Sequence, residues 1–435
     1  MHIICRDLSI LTITIDIFCN KYTTNDSLIT CLVLSKPLET PKRKSLIGGV
    51  DLIEDNMKVA IIYDNLGPYH YARVRALSRL LSDLLVVEVA SSSITYAWLS
   101  QKVEKTWIQE TLFLGKKMHA VPVKEIKQSI WHILERHRPE VVFVAGYRDA
   151  AMQSAAKWAR KHGTRVILML DSWREDKRRW WMKEKIKRWL VQRWFDAAFV
   201  GGWRHYLYAQ SLGFLPERIW RVVDVVDNEY FSQGAVKART EARGWRKRLE
   251  LPEHYFICVA RHSPEKNLQR LLQAYQLYRD RKGEWSLILV GDGLQRKELE
   301  RQVRANSLNT VKFSGWVQYD LLPLYYGLAG ALILPSVSEP WGLVVNEGMA
   351  AGLPVLLSRK CGCQPELCWR GINGLDFNPW DVDEMADVML QTSSNISRCE
   401  AMGLASKKII GNFSPEHWAL VFLQCLRKKG MNEIA

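Results

Sequence analysis

The chain has 435 residues, of which 48% are hydrophobic and 25% charged, and its formal net charge is +15. Single cores stop growing near roughly 250–300 residues, so two domains are expected, and the composition excludes bulk disorder. The charge attracts something anionic without choosing among nucleic acid, a phospholipid surface and a phosphorylated substrate.

Residues 1–56 show no sustained periodicity. They read as a disordered extension or as the product of an upstream start that the cell does not use. Residues 8–18 are the longest N-terminal apolar candidate, but Asp16 interrupts them and no small-residue cleavage site follows, so a secretory signal is not expected. No run reaches the ~18–20 apolar residues of a spanning helix.

The text changes at Met57. Residues 58–63 form a buried-strand pattern, 64–68 a turn, and the stretch from His70 has a helical apolar period. Further strands are expected at 84–90, 141–145, 165–170, 196–200 and 219–226, with helices at 125–137 and 149–162. A Lys/Arg-rich stretch follows and reads as the connection between domains. The alternation then restarts, with strands at 255–260, 285–290, 310–313, 331–335 and 354–358. Helices are expected at 267–279, from Gly293 to Asn306, and at 321–327, 343–351, 381–391 and 415–429. Short apolar strands between helices predict parallel sheets covered on both faces. The expected organisation is an N-terminal domain at 57–232, a linker at 233–250, a second domain at 251–412 and a C-terminal helix at 413–435.

Three segments carry chemistry. In the first, Glu339 follows a strand and Glu347 lies eight positions on, on the next helix. Carboxylates suit sugar and ribose hydroxyls because they accept two hydrogen bonds in a fork. Gly342 stands at that helix's N-terminus, where free N–H groups and the dipole favour phosphate. In the second, Arg261 and Lys266 sit in a loop after a strand, where two cations can neutralise a diphosphate. The third, Val290-Gly291-Asp292-Gly293, is a weak glycine signal that is also compatible with a plain tight turn.

Together with Phe313-Ser-Gly-Trp316, Gly352-Leu-Pro-Val355 and Gly371-Ile-Asn-Gly374, these motifs resemble glycosyltransferase family 4, the retaining group 1 glycosyl transferases. The resemblance covers residues 255–381 and implies a GT-B fold: α/β, with two Rossmann-like doubly wound parallel-sheet domains facing a cleft and a C-terminal helix returning to the first domain. It implies a retaining transfer from a UDP-, GDP- or ADP-sugar to a glycan or lipid-linked acceptor, in surface polysaccharide or lipopolysaccharide synthesis. No metal or other cofactor is implied. Arg261 and Lys266 would hold the diphosphate, Glu347 the ribose and Glu339 the transferred sugar. Backbone near Trp341, Gly342 and Leu343 would complete the donor pocket, with Gly291 and, from the first domain, Gly67 at its edge.

One departure concerns the acceptor side. Family members often carry a His after the fourth strand, where this chain has Gly146-Tyr147-Arg148. Asp171, after the next strand, is the candidate left there. His70 reads either as part of the cleft or as a surface helix start. Residues 177–195 mix Lys and Arg with Trp181, Ile186, Trp189, Leu190 and Trp194, which can fall toward one side. Such a helix lies on an anionic bilayer or packs on its own sheet with snorkelling cations. The expected location is cytoplasmic, at the inner face of the membrane.

Competing readings are a GT-B binding or scaffold protein with a degenerate site, a nucleotide-sugar epimerase or phosphorylase, and a nucleic-acid binder. The last lacks any recognition-module signature. Cys361, Cys363 and Cys368 cluster without paired C-x-x-C spacing, so reduced thiols are expected rather than a metal site. Removing residues 1–56 is expected to leave a folded protein with an unchanged thermal transition. Loss of that transition would place the first strand upstream of Met57.

Overall fold

The computed structural model describes residues 57–92 and 105–427. The expectations for residues 1–56 and for the extreme C-terminus lie outside the described residues.

Two parallel sheets organise the protein. The first contains β1 (Val59–Tyr63), β2 (Leu84–Ser92), β3 (Ile108–Lys117), β4 (Val141–Ala145), β5 (Arg165–Leu170), β6 (Ala197–Val200) and β7 (Ile219–Arg221), in the order β3-β2-β1-β4-β5-β6-β7. The second contains β8 (Tyr255–Val259), β9 (Ser286–Val290), β10 (Val311–Gly315), β11 (Ala331–Leu334), β12 (Val355–Ser358) and β13 (Gly374–Phe377), in the order β10-β9-β8-β11-β12-β13. Side-chain alternation divides each sheet between two cores. Ala60 and Ile62 enter one cluster and Val59, Ile61 and Tyr63 the other. In the second sheet Tyr255 and Ile257 face one core, and Phe256 and Cys258 the opposite one. Burial on both faces is why the central strands read as continuous apolar runs.

Several elements depart from the sequence pattern. β3 is an edge strand with no fully buried residue, and its only apolar run is the short Leu112-Phe113-Leu114. β13 and the helix Ile396–Ile410 were likewise absent from the pattern. The last strand of the first sheet ends at Arg221 rather than at 226. Beyond it the chain leaves the sheet toward the second domain, and Val223 adopts a left-handed φ of 52°. A β-branched residue there costs about 1–3 kcal/mol. Neighbouring carbonyls hold the bend: Arg73 donates to the Val225 carbonyl and Asn346 to the Asp224 carbonyl.

The connection is helical rather than open. Helices Asn228–Thr240 and Ala242–Leu249 occupy it, and Phe231, Ala235 and Ala238 enter the core of the second domain beside Tyr326. Lys237, Arg243, Lys247 and Arg248 are exposed, which gives the stretch its linker-like composition, whereas Arg239 and Arg246 donate to carbonyls of the second domain. The C-terminal helix, Pro415–Arg427, returns to the first sheet. There Phe422 stacks on Phe143 at 4.0 Å and Trp418 meets Phe199 edge-on at 5.5 Å.

The Trp-rich helix, Trp181–Trp194, corrects one expectation. Trp181, Ile186 and Trp189 are about 60% exposed. Leu190 and Trp194 instead fall beside buried Val191. At about 100° per residue the two sets lie on adjacent arcs rather than on one face.

Phe422→Ala should destabilise the protein by about 3–5 kcal/mol, the cost of emptying a fully buried aromatic site. Urea denaturation measures it. A loss below about 1 kcal/mol would mean that this helix contributes little to the first domain's core.

Candidate functional site

In each sheet one central strand marks where the strand order reverses: β1 between β2 and β4, and β8 between β9 and β11. Crevices outside the carboxyl ends of such strands are where open α/β sheets take ligands. The loops after β8 and β11 meet at this point in the second domain, and the Glu265 carbonyl accepts from the Val337 N–H at 2.9 Å.

Lys266 closes a one-turn helix after β8, and its Nζ bonds Glu339 Oε2 on the loop after β11. Both side chains are nearly buried. The Ser336 hydroxyl donates to the same carboxylate oxygen at 3.2 Å. Arg261 stays exposed and pairs with Glu265 at 3.3 Å. The two cations predicted to act together therefore share a loop, but only Lys266 has a buried carboxylate partner.

The first domain grips the loop that carries Glu339. Trp173 Nε1 donates to the Glu339 carbonyl at 3.0 Å, His205 Nε2 to the Pro340 carbonyl at 2.9 Å, and the Ser338 hydroxyl to the Asp176 carbonyl. His205 is fully buried and held below the usual histidine range by burial, so it donates here as a neutral ring. Trp341 packs in the second domain's core, with its indole N–H on Asn346 Oδ1 at 3.0 Å. The side chain is thus structural, and only its backbone can border a ligand. Gly342 takes φ 103° as the cap of the helix Leu343–Ala350, and a Cβ there would press on Leu334 and Glu339 at 3.2 and 3.3 Å. Leu343 is half-buried at the first position of the helix, where N–H groups lack intrahelical partners.

Glu347 lies on that helix and is fully buried. Oε1 accepts from the hydroxyl of Tyr69, which belongs to the first domain, and Oε2 accepts from Tyr326 at 2.6 Å. Burial pushes this carboxyl up to about 7, against the lowering effect of the two phenols. Glu339 and Glu347 thus have separate partners and do not share one, although both stand at the carboxyl end of the second sheet.

The glycine turn does bring backbone close: at φ 128°, a Cβ on Gly291 would sit 2.0 Å from the Ala260 carbonyl oxygen. Gly291 is therefore required where the ends of β8 and β9 converge, whatever it adds to a ligand site. Gly67 caps the helix Pro68–Leu77, and its N–H donates to His70 Nδ1 at 2.9 Å. Burial, and then Arg73, push His70 down to about 3, which fixes it as a neutral capping ring beside the cleft.

In the first domain a cavity of about 380 Å³ opens at the ends of β1, β4 and β5, bordered by Asp64, His70, Arg73, Asp171 and Asp224, with Pro340 from the second domain. Asp171 opens to this cavity but sits deep between its walls. That enclosure, and then the carboxylate of Asp224, push it up to about 7. Cys361, Cys363 and Cys368 are core residues. The sequence did not single out Tyr326, Trp173, His205 or Asn346 because their roles arise from contacts distant along the chain. Tyr69 had only its nearness to the first loop to mark it.

Residues 242–409 match the sequence profile of the family described as Glycosyl transferases group 1. Over 163 residues the chain is 33% identical to the O-antigen chain mannosyltransferase B of Escherichia coli, covering 35% of this chain and 41% of that protein. Over 209 residues it is 30% identical to a GDP-mannose-dependent alpha-(1-6)-phosphatidylinositol monomannoside mannosyltransferase of Mycobacterium tuberculosis, covering 46% of this chain and 51% of that one. The chain thus spans about half or less of the length of these curated relatives. Anabaena HepE in complex with UDP and glucose superposes with a TM-score of 0.67 at 16% identity, over 86% of this chain and 100% of that one. Sucrose-phosphate synthase from Thermosynechococcus elongatus superposes with a TM-score of 0.67 at 16% identity, over 86% and 98%. The fold is GT-B.

Glu347 makes stability depend on pH. Its folded-state pKa, about 7, lies above the ordinary 4.5, so its contribution is fully present below about pH 4.5 and is lost as pH rises through 7. Asp171 titrates in the same window with the same sign. Thermal unfolding from pH 4.5 to 8 should show a smaller decline in Glu347→Gln than in the wild type, with Asp171 carrying the remainder. Equal declines would show that Glu347 titrates as an ordinary carboxylate.

Proposed function

We propose that the protein is a retaining, nucleotide-sugar-dependent hexosyltransferase that moves a sugar from a UDP-, GDP- or ADP-sugar to a glycan or lipid-linked acceptor. The observation that carries this reading is the buried Lys266–Glu339 pair, set on two loops at the strand-order reversal of the second sheet. A cation and a carboxylate held together there match what a sugar diphosphate presents, anionic oxygens beside hydroxyls.

As the bond from the anomeric carbon to the diphosphate oxygen breaks, the sugar gains positive charge and the diphosphate leaves as an anion. Arg261, exposed at the end of β8, and Lys266 stabilise that leaving charge together with the N-terminus of the helix Leu343–Ala350. This is transition-state rather than ground-state binding. Glu339 exchanges part of its contact with Lys266 for hydroxyls of the transferred sugar. Glu347 receives the ribose hydroxyls in place of the Tyr69 phenol. Trp341, Gly342, Leu343 and Gly291 contribute backbone at the donor pocket, and Gly67 borders it from the first domain. Side-chain cations and a helix dipole supply the positive charge, so the reading assigns no metal or other cofactor. Asp171, in the first domain's cavity, faces the acceptor hydroxyl.

The UDP-glucose bound to HepE and the GDP-mannose dependence of the mycobacterial relative fit this class, and an O-antigen relative favours a role in surface polysaccharide or lipopolysaccharide synthesis. No helix of the described residues is long and apolar enough to cross a membrane. Exposed Trp181, Ile186 and Trp189 stand among Lys183, Lys185, Arg188 and Arg193, the composition of a helix lying on an anionic bilayer. Peripheral contact through residues 177–195 would place the acceptor cavity at the cytoplasmic face of a membrane.

A thermal-shift series with UDP, GDP, ADP and their sugar conjugates tests the donor site. One nucleotide at ~100 times its dissociation constant should stabilise the protein by ~2.7 kcal/mol. Arg261→Ala should cut that shift to about 0.4–1.4 kcal/mol and slow transfer roughly ten- to a hundredfold, the loss of one charge-assisted contact. No shift with any nucleotide would sink the reading.

A further inference from the structure

Beside the acceptor cavity lies a second one, of about 570 Å³, between the loop after β5, the helix Trp181–Trp194 and the loop after β12. Seven cations and two carboxylates border it. Both carboxylates are already engaged: Glu175 pairs with Lys360 from the second domain at 2.6 Å, and Glu184 pairs with Lys187 and Arg179. The Tyr208 hydroxyl also donates to Glu184. By contrast, among the described residues no ion pair engages Arg174, Lys177, Arg178, Lys185 or Arg188. Folding therefore spends its available carboxylates on one wall and leaves five cations around a concave space.

Like charges gathered around one concave space repel one another and focus a positive field there, although all five are solvent-exposed. Burial, with Arg179 and Arg148 nearby, holds Lys177 below the ordinary lysine range against the pull of Asp176. Two arginines can fork onto phosphate oxygens, and lysines serve as point charges beside them. Lys177 lines both this cavity and the cleft that holds Asp171. Exposed Trp181 forms part of the rim, with Lys185 over its ring at 5.0 Å.

We propose that this cavity binds a phosphate or diphosphate group of the acceptor, so that the acceptor's hydroxyl reaches Asp171 while its anionic group is held around Lys177. The proposal rests on the acceptor-side reading above, but its test reads binding rather than transfer. The diphosphate-binding role assigned to Arg261 must be silenced first, so the background is Arg261→Ala. Titration calorimetry of that protein with inorganic pyrophosphate should show binding. Adding Lys177→Gln, Arg178→Gln and Lys185→Gln, all at exposed positions, should weaken it about tenfold or more.

Vesicles of phosphatidylcholine mixed with phosphatidic acid separate the sources of the group. Sedimentation with vesicles that pyrophosphate competes away, and that the triple substitution removes, assigns a lipid-borne phosphate. Pyrophosphate binding without vesicle binding assigns a soluble phosphorylated acceptor. Absent pyrophosphate binding, or binding unchanged by the triple substitution, overturns the proposal even if the donor site binds nucleotide. Absence of nucleotide binding in the wild-type protein alone would instead count against the donor reading and leave this cavity standing.

Discussion

The buried pair of Lys266 and Glu339 is the constraint around which the site is built. Removing two charges from water costs several kcal/mol per ion, and their attraction offsets this only when the geometry is good and other donors satisfy the carboxylate. Here Ser336 supplies one further donor, and the loop backbone is pinned by Trp173 and His205. The pair fixes the spacing of the loops after β8 and β11. Those loops in turn define the mouth of the second domain's crevice.

Because the donors to Glu339 and Pro340 carbonyls come from the first domain, the site belongs to both sheets. Several contacts between them are polar. Besides the loop contacts, Trp203 N–H donates to Glu366, Arg204 to the carbonyls of Arg359 and Cys361, and Asn346 to the Asp224 carbonyl. Polar interfaces within a chain permit relative domain motion more readily than large apolar ones. Near the crossing, Val223 carries backbone strain that its neighbours hold in place.

Glu347 is the second such joint. Its carboxylate bonds the phenol of Tyr69 from the opposite domain, so any hydroxyl that takes this carboxylate replaces a contact between the domains. The raised pKa follows from the same burial, since two phenols compensate the charge less well than water does.

The sequence by itself determined the two sheets' central strands, because residues buried on both faces must be apolar throughout. It also located the loops that carry Arg261, Lys266 and Glu339 and the helix that carries Glu347, because a strand's end and a helix's start have local signatures. Edge strand β3 escaped notice because one exposed side frees its composition. The helices at 228–249 have no clean apolar period because basic residues stand between the few positions that pack, Phe231, Ala235 and Ala238 fully buried among them. Tertiary structure alone decided which partners the charged groups found. Tyr69 reaches Glu347 across 278 positions, and Trp173 reaches Glu339 across 166. It also decided which Trp side chains face solvent. Pairing between residues so far apart depends on how two sheets are set against each other, and no local pattern of residues encodes that distance.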